Sequence, residues 1–223
     1  MTFIDIHSHN SSIEKNTIKV VNQFPDVFVL SKIFQYTSVG LHPWYIKDNF
    51  KELISSLKTL TQYKQVIAIG EAGLDKAIDT DIELQKSVFI AQAIIAEKIS
   101  KPMIIHAVKS YYDIIAIRKN FANAPPWIIH GFTGNENIAR ELVKNNFYLS
   151  FGKDLFGDKS HASKVISAIP LANLFLETDD SDRNIKNIYE KAADLLNMSI
   201  EKLSTTVSNN FQKLFSVDLC SNI

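Results

Sequence analysis

The chain has a single cysteine, Cys220, in 223 residues. It therefore has no internal disulfide framework, and a reducing compartment suits it. It also lacks an excess charge of either sign, since 24 Lys and Arg balance 24 Asp and Glu. That excludes a protein that coats nucleic acid by bulk electrostatics, and leaves only a local basic patch to meet a polyanion. No apolar run reaches the roughly 18 residues that a membrane-spanning helix needs. The opening MTFIDIHSHN has no basic segment leading into an apolar one, so no signal peptide is expected. Low-complexity segments, charge blocks and repeats of about 20 to 50 residues are missing as well. The expectation is a cytoplasmic protein with no membrane partner, a monomer by preference, with residues 1–223 forming one domain.

What the chain does have is 46% hydrophobic residues, set in a recurring pattern. Short apolar or β-branched runs recur, all but one ending in a polar or charged residue: Phe3–His7, Tyr36–His42, Val66–Glu71, Pro102–His106, Trp127–His130, Phe147–Phe151 (the exception) and Leu174–Asp179. Such runs read as strands buried on both faces, as in a parallel sheet covered by helices. An eighth, less distinct strand is expected within Val27–Ser31. Helical patterns cover Asp81–Lys98, Glu136–Asn145 and Ile185–Asn197, and Ser199 can cap a last helix running to about Phe215. Strands alternating with helices predict an α/β fold, a TIM-like (β/α) barrel in preference to an open sheet.

In a parallel barrel the functional groups gather at the C-terminal ends of the strands. Asp5, His7, His9, His42, Glu71, His106, His130 and Asp179 all fall there, and of the six histidines only His161 does not. His7 and His9 are two apart on an extended strand, so their side chains point the same way. Divalent metal binding is the usual reason for two imidazoles to converge. With Glu71 able to bridge, two ions could sit close together and share a hydroxide, lowering the pKa of water and clamping a phosphodiester.

At these residues the chain resembles the TatD family of metal-dependent deoxyribonucleases. The resemblance is carried by Phe3-Ile-Asp-Ile-His-Ser-His9, Val39-Gly-Leu-His-Pro43, Ala68-Ile-Gly-Glu-Ala-Gly-Leu-Asp75, Lys101-Pro-Met-Ile-Ile-His106, His130-Gly-Phe-Thr-Gly134, Tyr148-Leu-Ser-Phe-Gly152 and Leu176-Glu-Thr-Asp179. The helix bearing Gln85, Phe89 and Gln92 and the tail Asn209–Phe215 are similar too. The resemblance implies that His7, His9, Glu71 and Asp179 hold one metal, and that Glu71, His106 and His130 hold a second. It makes Glu71 and Asp179 catalytic, Asp179 by orienting or deprotonating the attacking water. His42, Lys109 and Lys153 are the implied substrate contacts. Two divalent ions per subunit follow (Mg, Mn, Zn or Ni), as do a DNA or other phosphoester substrate and phosphodiester hydrolysis by a metal-bound hydroxide. Only 32 residues lie between His9 and His42, fewer than is usual in the family, so the second βα unit is expected to be truncated.

Other readings keep the same residues. A His-x-His start also occurs in PHP phosphoesterases and in amidohydrolases, which would make the chain a hydrolase of small phosphoesters or of other esters and amides. A protein that retains metals and binds a partner without catalysis is a third. Asp5 reads as an orienting residue, and Asp75 as a turn residue or a support to a ligand. Trp44, Tyr45 and Phe132 are candidates either for stacking on a base or for plain rim and core packing.

Overall fold

The structure, a computed structural model, describes residues 1–12, 14–31, 35–157 and 160–219; Cys220 lies outside them. Eight strands follow one another in chain order through one sheet. They are β1 (Phe3–Ser8), β2 (Thr17–Gln23), β3 (Tyr36–Val39), β4 (Val66–Asp75), β5 (Met103–Val108), β6 (Trp127–Ile129), β7 (Phe147–Phe151) and β8 (Leu174–Leu176). Every neighbouring pair is parallel. Around them run α1 (Phe50–Leu60), α2 (Ile82–Lys98), α3 (Tyr111–Arg118), α4 (Glu136–Lys144), the short α5 (Ala162–Val165), α6 (Ile185–Leu195) and α7 (Ile200–Phe215).

The local chemistry sets these elements. All ten residues of β4 are buried, as a strand enclosed by helices requires. Asp81, Asn135, Asn184 and Ser199 each accept a backbone N–H at the start of α2, α4, α6 and α7, satisfying donors that the helix itself leaves open. Trp127 on β6 is fully buried and meets Phe89 of α2 and Phe147 of β7 edge-on, with ring centroids 5.4 and 5.8 Å apart. These contacts join the sheet to its helical cover.

The ends of the sheet meet as well. Ser8 and Asp179 form a parallel bridge: the Asp179 N–H donates to the His7 carbonyl (2.9 Å) and the His9 N–H to the Asp179 carbonyl (3.1 Å). The sheet therefore curls into the nearly closed TIM-like barrel that the strand pattern predicts. The C-terminal helices clasp β1 from outside. The Tyr189 hydroxyl accepts from Ile4 N–H (3.1 Å) and donates to the Ile4 carbonyl (3.0 Å), and Ser204 Oγ donates to the Thr2 carbonyl (2.6 Å).

One expected strand is corrected. Val27–Ser31 is not a strand; Val27, Val29 and Leu30 are 64, 61 and 57% exposed, so their apolar character reflects no buried face. The strand in that place is β2, whose apolar run is interrupted by Lys19 and Asn22. Lys19 is buried against Glu14, at 3.0 Å, and Asn22 is used at the site described below. Helices α1 and α3 go beyond the sequence reading. Neither the link 9–16 nor the link 24–35 contains a helix among the described residues, and the expected shortening falls here.

Candidate metal centre

The site is organised around Glu71, at the middle of β4. Gly70 has a φ of 149°, and a Cβ there would stand 2.5 Å from the Ile104 carbonyl oxygen; a Cβ at Gly73 would run into the His106 carbonyl. Glycine at both places lets β4 and β5 approach closely, which sets Glu71 beside His106. From the other side, Asn22 Oδ1 accepts the Glu71 N–H (2.6 Å) and the Ser38 hydroxyl (3.1 Å). The carboxylate is only 3% exposed.

Its two oxygens face different histidines. Oε2 lies 3.3 Å from His7 Nε2 and 3.2 Å from His9 Nε2. Oε1 lies 2.9 Å from His130 Nε2, 3.0 Å from His106 Nδ1 and 3.1 Å from His42 Nε2. Asp179 completes the first group, with Oδ1 3.6 Å from both His7 Nε2 and His9 Nε2. Asp179 adopts the left-handed conformation, φ 53°, an uncommon one for a residue other than glycine that Asp tolerates better than most. The two backbone hydrogen bonds to β1 hold it there, between the histidines. His7, His9, Glu71, His106, His130 and Asp179 are thus brought to one place, and His42 with them.

The donor chemistry tests whether cations fit. An ionised carboxylate only accepts hydrogen bonds, and a neutral imidazole carries one N–H. His106 lies between two carboxylates, Asp75 Oδ2 at its Nε2 (3.2 Å) and Glu71 Oε1 at its Nδ1. His130 likewise lies between Glu177 Oε1 at its Nδ1 (3.3 Å) and Glu71 Oε1 at its Nε2. Each ring can give its one N–H to the outer carboxylate and then aims a lone pair at Glu71. The inner face requires either an extra proton or a cation. His7 is fully buried, and neither of its nitrogens makes a hydrogen bond. Cations held against Glu71 would satisfy the inward nitrogens of His106 and His130 and Nε2 of His7. His42 differs: its Nδ1 accepts the Trp44 N–H (3.1 Å), so its N–H sits on Nε2 and donates to Glu71. Although His42, Glu71 and His106 lie close enough to hold an ion, ligation by His42 would need a ring with no proton at all. His42 is a donor here.

Protonation states follow this arrangement. For Glu71, burial pushes the pKa up, but the charged His130 and the hydrogen bonds from His106, His130 and His42 hold it well below the usual carboxylate range. For His7, burial and the neighbouring His130 push down, and Asp179 and Glu71 outweigh them, raising it to about 9. His130 is raised in the same sense, Glu71 and Glu177 overcoming burial. A histidine raised in the fold contributes stability that is full below its unfolded value of about 6.5 and is lost as pH climbs through the folded value. In chelator the melting temperature is expected to fall between pH ~6.5 and ~9, whereas the stabilisation by an added divalent ion should grow, because ligation displaces protons. Melting curves in chelator that rise across this window would contradict the assignment.

Beside the cluster lies a cavity of about 280 Å³ lined by Phe24, Trp44, Tyr45 and Asp180 together with His9, His42, Glu71, His106, His130 and Asp179; His7 lies behind it, fully buried. Neither Lys109 nor Lys153 is among its lining residues. Lys109 is exposed after β5. Lys153 stands near the cluster with Nζ paired to Asp180 Oδ1 and 4.0 Å from Asp179 Oδ2. Asp5 is fully buried and holds Thr178 through its N–H (2.9 Å) and hydroxyl (2.7 Å), with burial raising its pKa to about 7. Asp75 serves both a turn and a ligand position, accepting from Ala77 N–H and Trp44 Nε1 (2.7 Å) besides facing His106. Two glutamines of α2 fix the backbone on which these groups stand. Gln85 pairs with both backbone groups of Asp75, and Gln92 with both of Leu41, next to His42. Gln92→Leu would leave the Leu41 N–H and carbonyl buried without these partners, and is expected to cost about 2–5 kcal/mol of unfolding free energy. Denaturant unfolding measures it.

Two residues of the site have no role in the sequence reading, Asn22 and Glu177. A signal for Glu177 was present: it stands two residues before Asp179, the same extended spacing that singles out His7 and His9. Asn22 has none, since it lies in the strand that was missed.

The family described as "TatD related DNase" has a model that matches residues 11–216. The chain is 34% identical over 201 residues to the uncharacterized metal-dependent hydrolase YabD of Bacillus subtilis, covering 83% of this chain and 79% of that protein. It is 28% identical to the uncharacterized metal-dependent hydrolase YcfH of Escherichia coli, over 81% of this chain and 74% of YcfH. Its fold is similar to the crystal structure of the TatD homologue YJJV from Escherichia coli, with a TM-score of 0.85 at 21% identity, covering 97% of this chain and 98% of that one.

Proposed function

The chain belongs to the TatD-related DNase family, and on that premise we propose that it is a divalent-metal-dependent phosphodiesterase that cleaves DNA. The observation that carries this reading is the division of Glu71 between two sets of imidazoles, one per carboxylate oxygen. Its relatives' names, as metal-dependent hydrolases, agree with it. In this reading His7, His9, Asp179 and Glu71 hold one ion, and Glu71, His106 and His130 the other. Divalent ions so held supply the positive charge that polarises a phosphoester and makes water acidic enough to attack at neutral pH.

The remaining chemistry belongs to the side chains. For Asp179, burial pushes the pKa up, but His7 beside its Oδ1 and the nearby His130 charge outweigh burial and bring it down to about 2. It stays ionised at neutral pH and can accept the hydrogen bond that orients the attacking water. The Nε2–H of His42, fixed by the Trp44 amide, can turn from Glu71 to a phosphate oxygen once cations hold that carboxylate. Lys153 can exchange its Asp180 partner for a substrate phosphate. Asp75 and Glu177 hold the His106 and His130 rings so that one nitrogen of each always faces Glu71.

The test is cleavage of a labelled single-stranded oligonucleotide with added magnesium or manganese, set against hydrolysis of para-nitrophenyl phosphate. Cleavage of the oligonucleotide should vanish in chelator and return with the ion. Turnover of the small monoester alone would move the assignment to small phosphoesters.

A further inference from the structure

Trp44 and Tyr45 lie on a single 3-10 turn, Pro43–Tyr45, directly after His42. They are 56 and 47% exposed, which rules out a core-packing role, whereas Phe132 is fully buried and does pack in the core. Both line the cavity that holds the metal-ligating cluster. Phe24, after β2, closes the same wall: its ring meets Tyr45 edge-on at 4.8 Å and stacks toward His9 at 6.4 Å.

The wall is held in place. The Trp44 indole donates to Asp75 at 2.7 Å and meets the His42 ring edge-on at 5.1 Å. With its one N–H given to Asp75, Trp44 has only ring surface left to offer a ligand. On the far side of the Phe24–Tyr45 pair lies a second cavity of about 240 Å³, sharing those two residues and lined also by Leu41, Leu53 and the exposed Lys47. An aromatic wall of edge-to-face rings thus stands beside the proposed phosphodiester-cleaving centre, and beyond it a second compartment, with Lys47 and Asp26 in its lining, leaves room for the neighbouring part of a strand. A base lies against the rings and the neighbouring nucleotide beyond them.

We propose that Trp44, Tyr45 and Phe24 form a stacking site for an unpaired nucleobase next to the scissile phosphate. The proposal rests on the nuclease reading above and adds to it the side chains that meet the base. A base inside a duplex has both faces covered by its neighbours, so it cannot use this wall. Because ring faces accept every base alike, cleavage is tolerant of sequence.

The experiment uses single-stranded oligonucleotides carrying one abasic residue at successive positions from either end. With wild-type protein, removing the base that adjoins the cleaved bond should lower kcat/KM by about 10- to 100-fold, the size of one base–aromatic stack. In Tyr45→Ala the ratio between intact and abasic substrates should shrink toward one, and Tyr45→Phe, which keeps the ring, should restore it. Equal cleavage of every abasic substrate by wild-type protein would overturn the stacking site. So would a Tyr45→Ala loss that is the same on intact and abasic strands, since that is the mark of a structural defect. If intact oligonucleotide is not cleaved at all, it is the nuclease assignment that fails.

Discussion

Glu71→Gln should yield a folded protein that has lost most of its metal and cleaves oligonucleotide at least about a thousandfold more slowly, the upper range for losing one preorganised charge-stabilising group. Gln matches Glu in size, and the Asn22 contact is made by the backbone N–H of residue 71, so the packing of β4 should survive. What is lost is an oxygen pair that serves both imidazole groups. An amide offers one oxygen and, in place of the other, a donor. Metal analysis beside circular dichroism checks this outcome. A variant that keeps its full metal content and rate would remove Glu71 from the centre.

Asp179→Asn tests the chemistry with the metals largely in place. Asn tolerates the left-handed backbone at this position as well as Asp does. The two backbone bonds to His7 and His9 do not involve the side chain. The fold is therefore expected to be spared, while the rate falls by about 10²- to 10⁴-fold, the range for a positioned base. Mutating one ligand of the first group should also weaken one ion more than the other, which titration with metal can resolve. Unchanged activity would show that Asp179 neither takes nor orients a proton.

The barrel was legible because most of its strands announce themselves twice, by apolar runs and by a charged or imidazole residue at the end. Val66–Glu71 and Pro102–His106 show both signals. Strand β2 shows neither: Lys19 and Asn22 break its run, and the groups they meet, Glu14 for the lysine and the Glu71 backbone for the asparagine's Oδ1, are supplied only by the fold. Val27–Ser31 drew attention for the opposite reason, an apolar loop that is left exposed. Within the site, residue type identified the groups around Glu71, since histidines at strand ends have few other uses. The partners that fix their rings were harder to see. Glu177 faces inward to His130 only because of how β8 is paired, and His42 is set apart from the other histidines by a hydrogen bond from Trp44. Such distinctions depend on which atom meets which, and periodicity holds no record of that.

The bridge from Ser8 to Asp179 has a bearing on biosynthesis. The β1 end brings His7 and His9 to the centre and the segment after β8 brings Asp179, with Glu71, His106 and His130 supplied by β4, β5 and β6 in between, and Tyr189 and Ser204, which brace β1, lie later in the chain still. A nascent chain therefore carries its histidines long before it can assemble them, and a product released before residue 179 has no complete pair of ion sites. In the proposed reading, the ion sites are therefore complete only once residue 179 has been made and docked on β1.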